Sequence, residues 1–128
     1  VEANRLPQEG MKIMGDRGIV KMVGEGQPSL NFYTHWGATD LPAVVAEALK
    51  RGKGRWNDES YLNRIVFSEM IQDDVLSETG YGIMVGDADY DAWRYVTINH
   101  DTKTVEVSDF QKSWSFDSFI TAFLIVTV

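Results

Sequence analysis

The chain has 128 residues, 44% of them apolar and 12% aromatic, no cysteine and a formal net charge of −7. That fits one domain with one sizeable core, and it excludes disulfide frameworks, thiolate zinc sites and cysteine nucleophiles. No apolar run is long enough to span a bilayer, the apolar content is too high for a disordered chain, and the expected class is a soluble, cytoplasmic, acidic α+β domain.

Residues 1–10 (VEANRLPQEG) show no periodicity and no basic start followed by an apolar stretch. They read as tag, linker or disordered tail rather than signal peptide, and residues 11–128 as a single domain. Residues 18–23 and 30–36 are β-branched and aromatic runs joined by Gly24-Glu25-Gly26-Gln27-Pro28, the pattern of a hairpin. Alternation in the second run puts Leu30, Phe32, Thr34 and Trp36 on one face and Asn31, Tyr33 and His35 on the other. Only the first face reads as core. A helix follows, with Thr39 or Asp40 as cap, Pro42 in the first turn, and Leu41, Val44, Val45, Ala48 and Leu49 as a buried stripe. Lys50 and Arg51 close it, with Gly52 expected in a left-handed position.

A second helix starts after Asn57 or Asp58 and runs to about Asp74, with Leu62, Ile65, Val66 and Met70 inward. Asp73 and Asp74 then sit at its negative pole, which calls for a basic partner, and the segment 50–55 is the candidate. Three short strands over 81–85, 93–99 and 104–108 are joined by an acidic loop at 86–92 and a tight turn at 100–103. Ser115 caps a short helix near 116–123, although 119–128 is equally rich in strand formers. The order ββααβββ predicts a mostly antiparallel sheet of about five strands, two helices packed on one face, and a short C-terminal helix or strand. An apolar C-terminus without a partner would favour a homodimer.

Asp87, Asp89 and Asp91 have the opening spacing of a calcium loop, where alternate carboxylates meet a hard cation. Ala92 stands where that motif needs Gly and Ile98 where it needs Glu, so the stretch reads as a solvated acidic hairpin loop or a weak cation site. The two histidines, His35 and His100, are distant in sequence and no hydrolase, zinc or phosphate-loop pattern accompanies them, so no catalytic residue, metal or cofactor is assigned. His35, beside Trp36 and just before the first helix, reads as a structural or a binding side chain. Lys50, Arg51, Lys53 and Arg55 place four of the 12 basic residues in six positions, interleaved with glycine and followed by Trp56. Such a connector can grip phosphates and stack a base, or it can cap the helix and pair with Asp73, Asp74 and Glu78. Glu69 and Asp73 share a helix face, a pair that does acid and base work only where the two environments differ.

Tyr33-Thr34-His35-Trp36-Gly37, Leu41-Pro42, Arg51-Gly52-Lys53-Gly54-Arg55-Trp56, Phe67-Ser68-Glu69-Met70, Asp73-Asp74 and Glu78-Thr79-Gly80-Tyr81-Gly82-Ile83 together resemble a family of small uncharacterised bacterial and prophage-type proteins. The resemblance covers roughly residues 18–107, and Trp114-Ser115-Phe116 fits it too. It implies a compact accessory module and carries no activity.

Three functions are weighed. The leading one is a non-enzymatic accessory or regulatory protein that binds a protein partner through an acidic surface of Glu69, Asp73, Asp74, Asp87, Asp89 and Asp91 with Tyr90 and Trp93. The second is nucleic-acid or nucleotide binding through the connector 50–56, with His35 nearby. The third is a small hydrolase or isomerase using His35 with Glu69 or Asp73. No membrane partner is expected.

Overall fold

The computed structural model describes residues 15–87 and 90–124. In chain order it contains strands β1 (Gly18–Val23) and β2 (Leu30–Thr34), helix α1 (Leu41–Arg51), one 3₁₀ turn (Lys53–Arg55) and helix α2 (Glu59–Ile71). Strands β3 (Tyr81–Val85), β4 (Arg94–Asn99), β5 (Thr104–Val107) and β6 (Lys112–Ser115) follow, and then helix α3 (Phe116–Phe123). The α+β class holds, with a single six-stranded sheet in place of about five strands and with three helices. β6 is the strand that the sequence hides. Trp114 is its only residue that is not exposed, so it carries no alternation to read.

The strand order is β3-β2-β1-β4-β5-β6. Neighbours are antiparallel except β1 and β4, which run parallel from Gly18↔Arg94 to Val23↔Asn99. β3 and β4 are therefore consecutive in sequence, separated by two strands in space, and point the same way. A hairpin cannot join them. The chain returns instead through the segment 86–93, whose described residues Asp87, Tyr90 and Asp91 meet Lys21, Tyr95 and Arg17 on the face of the sheet opposite the helices. Ile19 and Asn31 lie on that face and are fully buried, so the reading of it as non-core is corrected. The Asn31 Nδ2 donates to the carbonyls of Met84 and Gly86 at 3.2 and 2.8 Å, which satisfies its buried N–H groups, while Oδ1 is buried with no hydrogen-bond partner among the described residues.

The main core lies on the other face. Val20, Met22, Phe32, Val96, Ile98, Val105 and Val107 meet Leu41, Val45, Ala48 and Leu49 of α1, Leu62, Ile65, Val66 and Met70 of α2, and Phe116 and Phe119 of α3. Pro42 occupies the first turn of α1 as expected, but Asp40 makes no side-chain capping bond. The Thr39 N–H is met instead by Asp16 at 2.8 Å. Gly52 has φ −93°, outside the left-handed region. Its lack of a side chain serves close packing, since a Cβ there would stand 3.1 Å from the Ala48 carbonyl and 3.2 Å from Ile65. α2 is capped by Asp58, which accepts from the Tyr61 N–H, and it ends at Ile71, leaving Asp73 and Asp74 beyond the helix.

Ser115 accepts the Ser118 N–H at 3.1 Å and starts α3 over the predicted residues. Phe119 and Phe123 then pack edge-on against Trp114, with ring centroids 5.5 and 5.1 Å apart. The described part of the apolar C-terminal segment is thus joined to the protein's own core. Residues 125–128, and the pairing expected of them, lie outside the described residues.

Arg94 locks the start of β4. It is 8% exposed, donates to the carbonyls of Ala38 and Thr39 at 3.0 and 3.1 Å, and makes two bonds to Asp109 at 2.9 and 2.7 Å. Those bonds hold the Asp109 carboxyl below its ordinary value, outweighing burial. Arg94→Met should lower stability by about 2 kcal/mol, less than a fully buried pair because the Asp109 side chain is 33% exposed. Urea unfolding checks this through a reduced midpoint at unchanged slope. With its folded pKa below its unfolded one, Asp109 stabilises above the ordinary value of 3.8, and the wild-type advantage should shrink as pH falls through the folded value, leaving the share due to the Ala38 and Thr39 carbonyls.

Candidate functional site

The side chains singled out in the sequence do not form one site, because α1 stands between them. His35 precedes its start and the connector 50–56 follows from its end. Within the connector, Arg51 donates to Glu69 at 2.9 Å and to the Ile65 carbonyl. Lys53 reaches Asp117 at 3.4 Å, and the Arg55 guanidinium covers the Tyr61 ring at 4.8 Å. The Trp56 indole donates to the Leu49 carbonyl at 2.9 Å and its ring meets Phe116 edge-on. Lys50 is exposed. Asp73, Asp74 and Glu78 are therefore not the partners of this segment. Glu69 and Asp117 are, since α1 packs beside α2 and α3 and turns its C-terminal end toward them.

His35 Nδ1 lies 2.6 Å from the Tyr33 hydroxyl, and its ring stands edge-on to Trp36. It hydrogen-bonds to no carboxylate among the described residues and lines none of the five main cavities. The geometry needed for a His35–Glu69 or His35–Asp73 base is therefore not assembled. Trp36 is 60% exposed. Its ring rests on Gly80, whose φ is +100° and where a Cβ would stand 2.9 Å from the indole, so the two positions constrain each other.

The described residues of the acidic strap 86–93, which are 86, 87 and 90–93, are tied to the sheet at both ends. Since β3 and β4 are not neighbours the segment is not a hairpin loop, although the Asp87 and Asp91 side chains stay 88% and 93% exposed to solvent. Asp87 pairs with Lys21 at 3.4 Å and accepts the Ser29 hydroxyl at 3.1 Å, and Asp91 pairs with Arg17. Asp89 lies outside the described residues. Tyr90 exchanges hydrogen bonds with the Tyr95 hydroxyl at 3.2 and 3.1 Å. The Trp93 indole donates to Asp16 at 2.7 Å and its ring faces Arg94. Burial works against ionisation of Asp16, but hydrogen bonds from Thr39 and Trp93 prevail and hold its carboxyl below the ordinary value. No group of three His, Cys, Asp or Glu residues among the described residues is placed to hold a metal ion.

What the fold does assemble is a cavity of about 250 Å³ bounded by the end of β2, the first turn of α1, the end of α2 and the start of β3. Its wall includes Leu41, Val44, Met70 and Tyr81, with Thr34, Asp40, Glu69, Gln72 and Asp73 as the polar residues. Val44, expected in the buried stripe of α1, is half-buried because it faces this space. The Thr34 hydroxyl accepts the Gly37 N–H at 3.1 Å and shapes the turn into α1. Glu69 is bound by Arg51 at 2.8 Å and by Gln72 at 2.9 Å. Asp40 and Asp73 form no ion pair among the described residues, and both are exposed. Two carboxylates of one sign thus overhang an apolar wall. That combination suits an ammonium or guanidinium on an aliphatic stem, because the stem is covered while the charge is met. Sequence reading placed Asp73 in an acidic surface and missed Asp40, whose position before Leu41-Pro42 signals a cap.

No protein-family model, curated protein or solved structure matches the chain.

His100 has a structural role. It is 4% exposed, its Nε2 lies 2.8 Å from Asn63 Oδ1, and Nδ1 is buried without a partner. Burial disfavours the charged ring and moves its pKa below the ordinary 6.5. The unfolded chain therefore takes up this proton first, so stability is unaffected above about 6.5 and declines as pH falls below it. Thermal unfolding between pH 7 and 5 should show that decline in the wild type and a shallower one in His100→Gln.

Proposed function

We propose that this protein is a non-enzymatic accessory or regulatory module that binds a basic segment of a protein partner, taking one Lys or Arg side chain into the cavity between Asp40 and Asp73. The observation that carries this reading is the pair of carboxylates, without ion-pair partners among the described residues, on the mouth of an apolar-walled space. At about 250 Å³ the space falls below the ~300–1,000 Å³ typical of small-molecule pockets and suits a single side chain. Apolar side chains that a partner could cover adjoin it in the chain. Trp36 is 60% exposed, and in the segment after α2 Val75 and Leu76 are 60% and 96% exposed. An aromatic held rigidly at the surface is a common anchor of binding energy. Asp74 and Glu78 extend the negative field around these residues and would steer a basic partner. The nucleic-acid alternative has less support, since Arg51, Lys53, Arg55 and Trp56 are engaged within the molecule.

Titrating the ¹⁵N-labelled protein with a short Arg/Lys peptide and with an acidic peptide of equal length tests the proposal. The basic peptide should shift the amides of Asp40, Asp73 and Tyr81, with weaker binding as salt rises. Asp40→Asn combined with Asp73→Asn should reduce affinity roughly tenfold, about 1.4 kcal/mol, at unchanged melting temperature. Equal binding of the acidic peptide, or full affinity in the double variant, would overturn it.

A further inference from the structure

The two edges of the sheet are built differently. β6 carries Lys112, follows a residue at φ +53°, and leads directly into α3. β3 has the sequence YGIMV, with no charge and no proline, and Ile83 and Val85 are 54% and 68% exposed. Such an edge is normally shielded in a monomer.

The direction of its backbone groups follows from the ladder. His35 N–H donates to the Gly80 carbonyl and Gly86 N–H to the Ser29 carbonyl, at 2.9 and 2.7 Å. In the register Thr34↔Tyr81 to Leu30↔Val85, the groups of Gly82 and Met84 therefore point at β2, and those of Tyr81, Ile83 and Val85 point away from the sheet. A second β3 placed antiparallel about Ile83 would use all three outward residues and form about six main-chain hydrogen bonds. Shifting by two residues either way loses pairs at one end.

The same register is self-complementary in shape. It sets Met84 of each copy beside Gly82 of the other, on the face crossed by the strap. Among the described residues nothing lies within 4 Å of where a Gly82 side chain would start, and a space of about 430 Å³ opens there beside Tyr33 and Tyr90. The knob and the hole sit two residues apart on one face, as a two-fold axis at Ile83 requires. On the helix side, the Phe67 ring of α2 covers Phe32 of β2 at 4.9 Å, so the α2 helices of two copies would stand over strands about 14 Å apart. Tyr81, Ile83 and Val85 of both copies fill the trough between them.

We infer that β3 is a self-association edge, and that two copies of this chain join antiparallel across Ile83 to give a continuous twelve-stranded sheet, with Met84 of each filling the hollow at Gly82 of the other. The inference is independent of the cation-binding proposal, which holds for a monomer as well.

Sedimentation velocity over a concentration series, with single cysteines introduced into this cysteine-free chain, tests it. The wild type should show a concentration-dependent dimer. Ile83→Cys should cross-link under mild oxidation, because residues opposite each other in a hydrogen-bonded pair have Cα atoms about 5.5 Å apart, within disulfide range. Val85→Cys should not, because it faces Tyr81 and the two copies of position 85 are roughly 14 Å apart. Gly82→Leu should weaken the dimer at least tenfold at unchanged melting temperature, since the described residues of its own chain leave the space open. A monomer at all concentrations, equal cross-linking of both cysteine variants, or a dimer insensitive to Gly82→Leu and Ile83→Lys would each overturn it.

Discussion

The parallel pairing of β1 with β4 is the constraint from which the rest of the architecture follows. It occupies the centre of the sheet, with six residue pairs from Gly18↔Arg94 to Val23↔Asn99. Since β3 runs in the same direction on the far side of β2, the chain has to return along the sheet before β4 can begin. The strap 86–93 makes that return, and it turns what would be a solvated face into a second, thinner layer. Ile19 and Asn31 are fully buried on that face, and the Asn31 Nδ2 donates to the carbonyls of Gly86 and of Met84 in β3. The ties that hold the strap are mainly surface ion pairs and tyrosine hydrogen bonds, each contributing about 1 kcal/mol or less.

Helix α1 divides the remaining chemistry. Its N-terminal end shares the cavity with α2 and β3, and its C-terminal end runs into the basic connector. The five ion pairs among the described residues join Arg17, Lys21, Arg51, Lys53 and Arg94 to carboxylates distant in sequence. The two basic ends of the strap's pairs come from β1 and the residue just before it, so compensation follows the topology rather than the local charge runs. Carboxylates that none of these pairs engages remain among the described residues, and Asp40 and Asp73 at the cavity are two of them.

Much of this was legible from residues alone. The periodicity of Leu41, Val45, Ala48 and Leu49 located α1, a cap at Asn57 or Asp58 and one at Ser115 located the starts of α2 and α3, and strand-forming runs located β1 and β3 to the residue and β2, β4 and β5 with one or two residues too many. These are local signals, and local physics made the elements. Strand adjacency is not local. DADYD looks like a hairpin loop to any reading that assumes neighbouring strands pair, and only the β1–β4 register shows that Asp87 and Asp91 meet Lys21 and Arg17. The candidate site was less legible for the same reason. Asp40 and Asp73 lie far apart in sequence, and the signal at Asp40 was that of a cap whose bond the fold does not make. His35 and the connector carried stronger local patterns, and the structure uses their side chains for packing and pairing.

Tyr81 connects the cavity to the free edge. Its side chain forms part of the cavity wall on the helix side, opposite Thr34, while its N–H and carbonyl point out from the sheet. An edge strand frays because half of its backbone groups have no partner, and fraying at Tyr81 would move that wall. A second strand on the edge would fix the position of Tyr81 and with it the shape of the space between Asp40 and Asp73. Ordering by one ligand lowers the entropy cost of the next, so occupation of the edge would favour occupation of the cavity, and linkage makes the effect reciprocal. The short β3 strand is thus the physical element through which self-association and partner binding would be coupled, with no need for the rest of the fold to move.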